Sequence, residues 1–335
     1  MPVPEPSAAL FLMDPVHLPR LFPGPLLDRL AGSVRVPRRA GPLPAAADGV
    51  DPAEAELVIT GWGCAPLTAG VLAGLPRVRT VLHAAGSVKA HVTEACWDRG
   101  LVVCSAAGAN ALPVAEYALA AILLCGKDAL RMRGTYAAEN RLPDPAATGR
   151  LGNLGRRVGI VGASRIGRRV IELLRPFDVE VSVYDPHLPR PEARGLGVRP
   201  LPLDELVATS EVLSLHAPLL PETRHLLDAR RLALLPDGAA VVNTARGALV
   251  DTAALTRELE SGRLSAVLDV TDPEPLPAGS PLYRLPNVLL TPHIAGALGN
   301  ELRRLGLAVT EEVERLVAGE PLRHRVLPGD LDRIA

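Results

Sequence analysis

Arg156-Arg157-Val158-Gly159-Ile160-Val161-Gly162-Ala163-Ser164-Arg165-Ile166-Gly167-Arg168-Arg169-Val170-Ile171-Glu172-Leu173-Leu174, followed by Val179-Glu180-Val181-Ser182-Val183-Tyr184-Asp185, is the stretch whose reading decides the fold. Residues 158–161 form a short apolar run with strand character. Gly162 and Gly167 then frame a tight turn into a helix that places Ile166, Val170, Leu173 and Leu174 on one face. Residues 179–183 read as a second strand, and it ends in an acid.

Strand, glycine turn, helix and strand together make the unit that holds a dinucleotide. Gly162 permits the sharp turn and Gly167 lets the helix pack close to the strand. The free N–H groups of the first helical turn, around Ser164, Arg165 and Ile166, can hold a pyrophosphate. Asp185 is placed to accept hydrogen bonds from the adenosine ribose, and its charge repels a 2′-phosphate, so NAD is expected rather than NADP. Ser164 stands where the motif has its second glycine, the one that allows close backbone approach to the phosphates. The plain alternative is a glycine turn in an α/β protein that binds nothing.

A chain of 335 residues is long enough for two domains with separate cores. With 48% hydrophobic and 22% charged residues it has the composition of an ordinary soluble protein. A net charge of −1 supplies no general attraction to nucleic acid or an anionic membrane, so neither is expected as a partner. Lys89 and Lys127 are the only lysines, which disfavours Schiff-base and P-loop chemistry. Cys64, Cys96, Cys104 and Cys125 show neither paired nor metal-ligand spacing, so reduced, buried thiols and no metal are expected. The apolar residues 8–13 are cut short by Asp14-Pro15 without a basic flank, unlike a signal peptide. The longest apolar run, residues 117–125, is too short to span a bilayer, and a cytoplasmic location is the default.

Working outward, residues 8–13, 57–60 and 78–83 read as strands of a first parallel α/β domain. The turns Gly61-Trp62-Gly63 and Ala85-Gly86-Ser87 follow two of them, where such folds place ligands, though they can equally be plain loops. Pro113 suits the first turn of a helix running toward Met132, and residues 134–155 read as an irregular surface segment. After Asp185 comes a Pro/Arg-rich loop, then strands at 212–216, 239–243, 266–269 and 288–291, with helices at 228–234 and 252–261 between them. A last amphipathic helix over 300–318 is expected to return to the first domain.

Three polar residues follow strands of the second domain: Arg246, Glu274 and His293. A carboxylate beside a histidine holds its tautomer and favours its imidazolium, and an arginine offers a fork that matches a substrate carboxylate. Beside a nicotinamide they form a complete set for reducing a 2-keto acid. A lone histidine after a strand is more often structural; it is the set that points to chemistry.

Here the segments become specific. Gly159-Ile160-Val161-Gly162-Ala163-Ser164-Arg165-Ile166-Gly167, Ser214-Leu215-His216-Ala217-Pro218, Asn243-Thr244-Ala245-Arg246-Gly247, Leu268-Asp269-Val270 with Pro273-Glu274-Pro275, and Pro292-His293-Ile294-Ala295-Gly296 resemble, in order, the motifs of the D-isomer-specific 2-hydroxyacid dehydrogenases. The resemblance implies two doubly wound parallel-sheet domains, a Rossmann-type NAD-binding domain (113–297) inserted into a flavodoxin-like substrate-binding domain (1–112 and 298–335). It implies that Arg246 binds the substrate carboxylate and polarises the carbonyl, that His293 is the acid/base and that Glu274 tunes it. It further implies substrate contacts from the backbone of Ala85, Gly86 and Ser87, nicotinamide-side contacts from Asp269, Thr244 and Ala245, adenosine-side contacts around His216, Ala217 and Pro218, and a homodimer. The loop 86–89 lacks the acidic or amide residues common in the family at that turn. An NAD-sensing corepressor-like protein on the same scaffold and a formate or phosphite dehydrogenase are the competing readings. Formate dehydrogenases usually carry glutamine where this chain has Glu274, and the lack of an extension after about residue 330 speaks against the longer phosphoglycerate dehydrogenases.

Overall fold

The computed structural model describes residues 7–149 and 151–331. The chain divides into two compact units: residues up to Ala111 together with those from Ala297 onward, and Leu112–Gly296. The outermost residues of the expected first domain, 1–6 and 332–335, lie outside the described residues.

In the first unit the strands are β1 (Ala8–Leu12), β2 (Ala40–Gly41), β3 (Ala55–Thr60), β4 (Thr80–His83) and β5 (Val102–Ser105). They pair in parallel in the order β2-β1-β3-β4-β5, the doubly wound order of flavodoxin-like sheets. The final strand of the chain, Arg325–Val326, joins β5 antiparallel, so this sheet is mixed and not purely parallel as expected. Every residue of β1 is buried, as a strand covered on both faces requires. The helix Leu302–Val317 places Leu305, Val309 and Val313 against Leu21, Phe22 and Leu30 in one core. Gly306 is the point of closest approach, since a Cβ there would stand 1.9 Å from the Leu21 carbonyl oxygen.

In the second unit β6 (Arg156–Val161), β7 (Val179–Tyr184), β8 (Arg199–Pro200), β9 (Val212–Leu215), β10 (Ala240–Asn243), β11 (Ser265–Leu268) and β12 (Val288–Leu290) run parallel. Their order, β8-β7-β6-β9-β10-β11-β12, reverses direction at β6, the dinucleotide-binding arrangement with one further strand. The helix Arg165–Leu174 buries Val170, Ile171 and Leu174, each contributing about 1.5–3 kcal/mol by removal from water.

Four local expectations are corrected. The helix expected from Pro113 starts earlier, spanning Ala107–Gly126, with Pro113 inside it. The Ser105 hydroxyl accepts the Ala107 N–H and starts the helix, and the interior proline merely leaves the Ala109 carbonyl without a helical donor. The expected run toward Met132 is broken at Asp128, whose φ of 50° is left-handed, and a separate helix, Ala129–Glu139, takes up part of the segment read as irregular. The Pro/Arg-rich loop after Asp185 contains the helix Arg190–Leu196, which accepts Pro191 because a first-turn N–H has no helical partner to lose. The helix Ala107–Gly126 is long and apolar enough, by length and composition, to cross a membrane, against the expectation from residues 117–125. It packs Ala115, Ala118 and Ile122 into the core beneath β6.

Candidate active site

Strand β6 ends in Gly162, which has a φ of 96° and no room for a side chain: a Cβ would lie 2.7 Å from the Ala217 nitrogen. A Cβ on Gly167 would lie 2.0 Å from the Gly162 carbonyl oxygen, so the helix meets the strand end only because both residues are glycine. Ser164 has a φ of −65° and ψ of 177°, which any residue adopts, and its Oγ accepts the Gly167 N–H at 3.3 Å. The apparent departure from the fingerprint is thus a helix cap. Asp185, following β7, ties the turn together. Its carboxylate accepts the Ala163 N–H at 2.7 Å and the His187 N–H at 2.8 Å.

The His216 ring faces the interior, 3% exposed, with Nε2 2.9 Å from Ser214 Oγ and Nδ1 buried without a partner. Burial pushes the ring down to about 3, so it stays neutral. What this segment presents to the glycine turn is its backbone at His216 and Ala217. The Thr244 hydroxyl is also buried and unpartnered. A glycine cradle with no space for a Cβ, a capped helix start, an acid after β7 and unpaired buried polar atoms fit a dinucleotide.

The catalytic candidates arise from three successive strand ends. After β10, Asn243 Oδ1 accepts the Ala245 N–H at 3.0 Å and its amide donates to the Arg246 carbonyl at 2.9 Å, folding residues 243–246 into a fixed turn. Burial pulls the Arg246 guanidinium below its ordinary value, and the nearby Glu274 charge opposes that shift. Gly247 then lies so close to the turn after β11 that a Cβ would stand 2.0 Å from the Thr271 carbonyl carbon. This contact draws the Arg246 and Glu274 segments together.

Asp269, 2% exposed, organises the third segment. Its Oδ1 accepts the Thr291 hydroxyl at 2.6 Å and the Ile294 N–H at 2.8 Å, while Oδ2 accepts the Ala295 N–H at 2.9 Å. The Thr291 proton goes to the carboxylate, so the Tyr117 hydroxyl, 2.7 Å away, donates to Thr291. His293 sits inside this clamp at a left-handed φ of 55° and donates its N–H to the Asp269 carbonyl at 2.9 Å. Its Nδ1 is 2.7 Å from Glu274 Oε1, and both side chains reach solvent, 55% and 43% exposed. An ionised carboxylate only accepts, so Nδ1 carries the proton of this bond and Nε2 is left to face a ligand. Sequence reading singled out Arg246, Glu274 and His293, and the fold brings them together. It missed Tyr117, Asn243 and the space constraint at Gly247. Tyr117 and Thr291 are 174 positions apart, and no local pattern announces such a pair.

Ala85, Gly86 and Ser87 belong to the other unit and follow β4. Among the described residues, the N–H groups of Ala85, Gly86, Ser87 and Val88 donate to no acceptor, while the Gly86 carbonyl accepts the Ser105 hydroxyl at 3.0 Å. Asn110 stands beside this loop, its Nδ2 3.3 Å from where a Gly86 Cβ would be, and its Oδ1 accepts the Ala297 N–H at 2.9 Å. In the Leu112–Gly296 unit, a separate cavity of about 560 Å³ lies at the amino-terminal strand edge. It is lined by Arg156, Glu211 and Arg263 and holds none of the candidate residues.

Residues 120–295 match the family model described as D-isomer specific 2-hydroxyacid dehydrogenase, NAD binding domain. The chain is 35% identical over 253 residues to the D-3-phosphoglycerate dehydrogenase of Mycobacterium bovis, covering 75% of this chain but 47% of that protein. It therefore spans about half the length of that relative. It is 34% identical over 220 residues to the hydroxypyruvate reductase of Thermotoga maritima, covering 64% of this chain and 70% of the other. Among solved structures it is similar to a phosphoglycerate oxidoreductase from Rhizobium etli, with a TM-score of 0.81 at 25% identity, covering 96% of this chain and 98% of that one.

Proposed function

Because the chain belongs to the D-isomer-specific 2-hydroxyacid dehydrogenases, we propose that it interconverts a D-2-hydroxy acid and a 2-keto acid with NAD. The observation that carries this reading is the 2.7 Å contact between His293 Nδ1 and Glu274 Oε1, on segments drawn against Arg246 by the Gly247 contact.

NADH, when bound, supplies the hydride that goes to the keto carbon. Gly162, Ser164, Arg165, Ile166 and Gly167 would hold its pyrophosphate and Asp185 its ribose hydroxyls, Thr244, Ala245 and Asp269 would serve its nicotinamide end, and His216, Ala217 and Pro218 its adenosine end. Arg246 pairs with the substrate carboxylate through its guanidinium fork. His293 Nε2 gives its proton to the carbonyl oxygen as that oxygen gains charge, and takes it back in oxidation. Glu274 keeps the ring oriented with Nε2 outward. Ala85, Gly86 and Ser87 offer backbone donors to substrate oxygens. We place the protein in the cytoplasm as a homodimer.

The test is NADH consumption against a panel of small 2-keto acids that begins with glyoxylate and hydroxypyruvate. Turnover of at least one, lost in Arg246→Ala and His293→Ala, is expected. NADH binding without turnover of any 2-keto acid would instead support an NAD-sensing role, and oxidation of formate or phosphite alone would redirect the assignment.

A further inference from the structure

The Ser105 hydroxyl joins two segments at once. Ser105 ends β5 and is 4% exposed, so its hydroxyl must find its partners inside the protein. It accepts the Ala107 N–H at 3.1 Å, which starts the helix Ala107–Gly126. The Gly86 carbonyl, 3.0 Å away, can only accept, so the hydroxyl proton goes there. Starting a helix takes an acceptor alone. The donor goes to the loop that follows β4.

The partners of that bond are themselves held. The Ser105 N–H donates to the His324 carbonyl at 3.1 Å, and Oε2 of the buried Glu312 accepts the Arg323 and His324 N–H groups at 3.0 and 3.4 Å. Asn110 packs against Gly86, its Nδ2 3.3 Å from where a Cβ would be. The Asn110 amide is fixed in turn, because its Oδ1 accepts the Ala297 N–H at 2.9 Å. The Gly86–Ser87 peptide is trans, and in a trans peptide the C=O and the following N–H point opposite ways. Tying the carbonyl to Ser105 therefore turns the Ser87 N–H away from Ser105, and that N–H meets no acceptor within the described residues.

We infer that Ser105 is a positioning residue for the substrate: by holding the Gly86 carbonyl it aims the Ser87 N–H at a carboxylate oxygen of the 2-keto acid. An N–H donating to an anion makes a charge-assisted hydrogen bond, about twice as strong as a neutral one. This rests on the functional reading above, in which the backbone of Ala85, Gly86 and Ser87 serves the substrate. Ser105 itself touches no substrate atom. Once the carbonyl is released, the peptide can rotate and the Ser87 N–H loses its aim, while Arg246, Glu274 and His293 are unchanged. The loss then falls on binding of the keto acid and not on proton transfer.

The experiment compares wild type with Ser105→Ala, which lacks both halves of the hydroxyl, Ser105→Cys, which keeps the bulk with only a weak S–H donor, and Ser105→Thr, which keeps the hydroxyl. Steady-state reduction of the keto acid that the wild type turns over is measured with the NADH dissociation constant and thermal midpoint of each. Ser105→Ala should raise the KM for the keto acid about tenfold, the loss of one hydrogen bond to a charged group. Its kcat should change less than about threefold and its NADH affinity not at all, and Ser105→Thr should keep KM within about threefold of wild type. An unchanged KM in a folded Ser105→Ala overturns the inference, as does a KM raised equally in Ser105→Ala and Ser105→Thr. A fall in kcat or NADH affinity as large as the rise in KM also overturns it, because that marks a general loss of structure. If Ser105→Ala does not fold, Ser105→Cys decides: a KM raised more than about threefold and not shared by Ser105→Thr supports the inference, and a wild-type KM overturns it. Failure of the functional reading looks different, because then the wild type itself turns over no 2-keto acid, and the inference falls with it.

Discussion

Gly247 and Thr271 are packed so tightly that a single added carbon on the glycine would stand 2.0 Å from the Thr271 carbonyl carbon. That contact closes the turn carrying Arg246 against the turn carrying Glu274. Gly247→Ala should therefore separate them, with an overpacking cost of about 1–3 kcal/mol. The expected result is a folded protein with a lowered urea midpoint, near-normal NADH affinity and strongly reduced kcat/KM for the keto acid. Full activity in that variant would show that the contact does not position Arg246.

The His293–Glu274 contact makes two separable predictions. His293→Ala should lower turnover by about 10²–10⁴-fold, the usual loss when a general acid is removed. Glu274→Gln replaces an acceptor-only carboxylate with an amide that can turn its NH₂ toward Nδ1, so the ring is no longer fixed with Nε2 outward; kcat should fall while the NADH dissociation constant stays near wild type. A Glu274→Gln enzyme with wild-type kcat would show that Glu274 does not position His293.

Asp185 already accepts N–H bonds from Ala163 and His187, so its carboxylate is held rigidly at the end of β7. A fixed negative charge repels a 2′-phosphate, and kcat/KM should be higher with NADH than with NADPH. Arg190 and Arg194, on the helix that follows, are the charges that would oppose this preference. Equal efficiency with the two cofactors would mean that they outweigh Asp185.

Since Ser164 caps the helix Arg165–Leu174, Ser164→Ala should cost about 1 kcal/mol of stability and Ser164→Gly only a few tenths. Urea midpoints measure both. NADH titration of Ser164→Gly then tells whether the hydroxyl also reaches a phosphate. An unchanged affinity leaves it a cap alone, and a loss of about 1.5–3 kcal/mol makes it a ligand.

His83 and His216 are both pushed to about 3 by burial, whereas in the unfolded chain each titrates near its ordinary value, about 6.5. Below that value the unfolded chain takes up protons that the folded protein does not. Their contribution is thus complete above about pH 6.5 and is lost as the pH falls toward 3, by up to about 1.4 kcal/mol per pH unit for each ring. The urea midpoint should drop between pH 7 and pH 5, and less steeply in His216→Gln than in wild type. An equal drop in both proteins would show that His216 takes no part.

Much of this protein is legible in the chain because its elements obey local periodicities. The apolar run of residues 158–161, the helical face from Ile166 to Leu174 and the acid after the second strand each state their structure within a few positions, and so the Rossmann half of the chain could be read directly. Arg246, Glu274 and His293 were legible for a related reason: each follows a strand or its turn, and strand ends are where such sheets place chemistry. Proline misled twice, at Pro113 and Pro191, because it signals a missing N–H and cannot say whether a neighbouring residue has already started the helix.

The rest belongs to the tertiary structure. Whether Ser164 is a defect or a cap depends on where the Gly167 N–H points, and that direction exists only once the helix has formed. The clamp of Asp269 on Thr291, Ile294 and Ala295, the tie from Tyr117 to Thr291, the crowding of Gly247 on Thr271 and the contact of the Thr60 hydroxyl with His83 join residues that are far apart in the chain. Composition and spacing decided which side chains were available. Hydrogen bonds and excluded volume act across space over about 3 Å, so only the packed sheets decided which of those side chains meet.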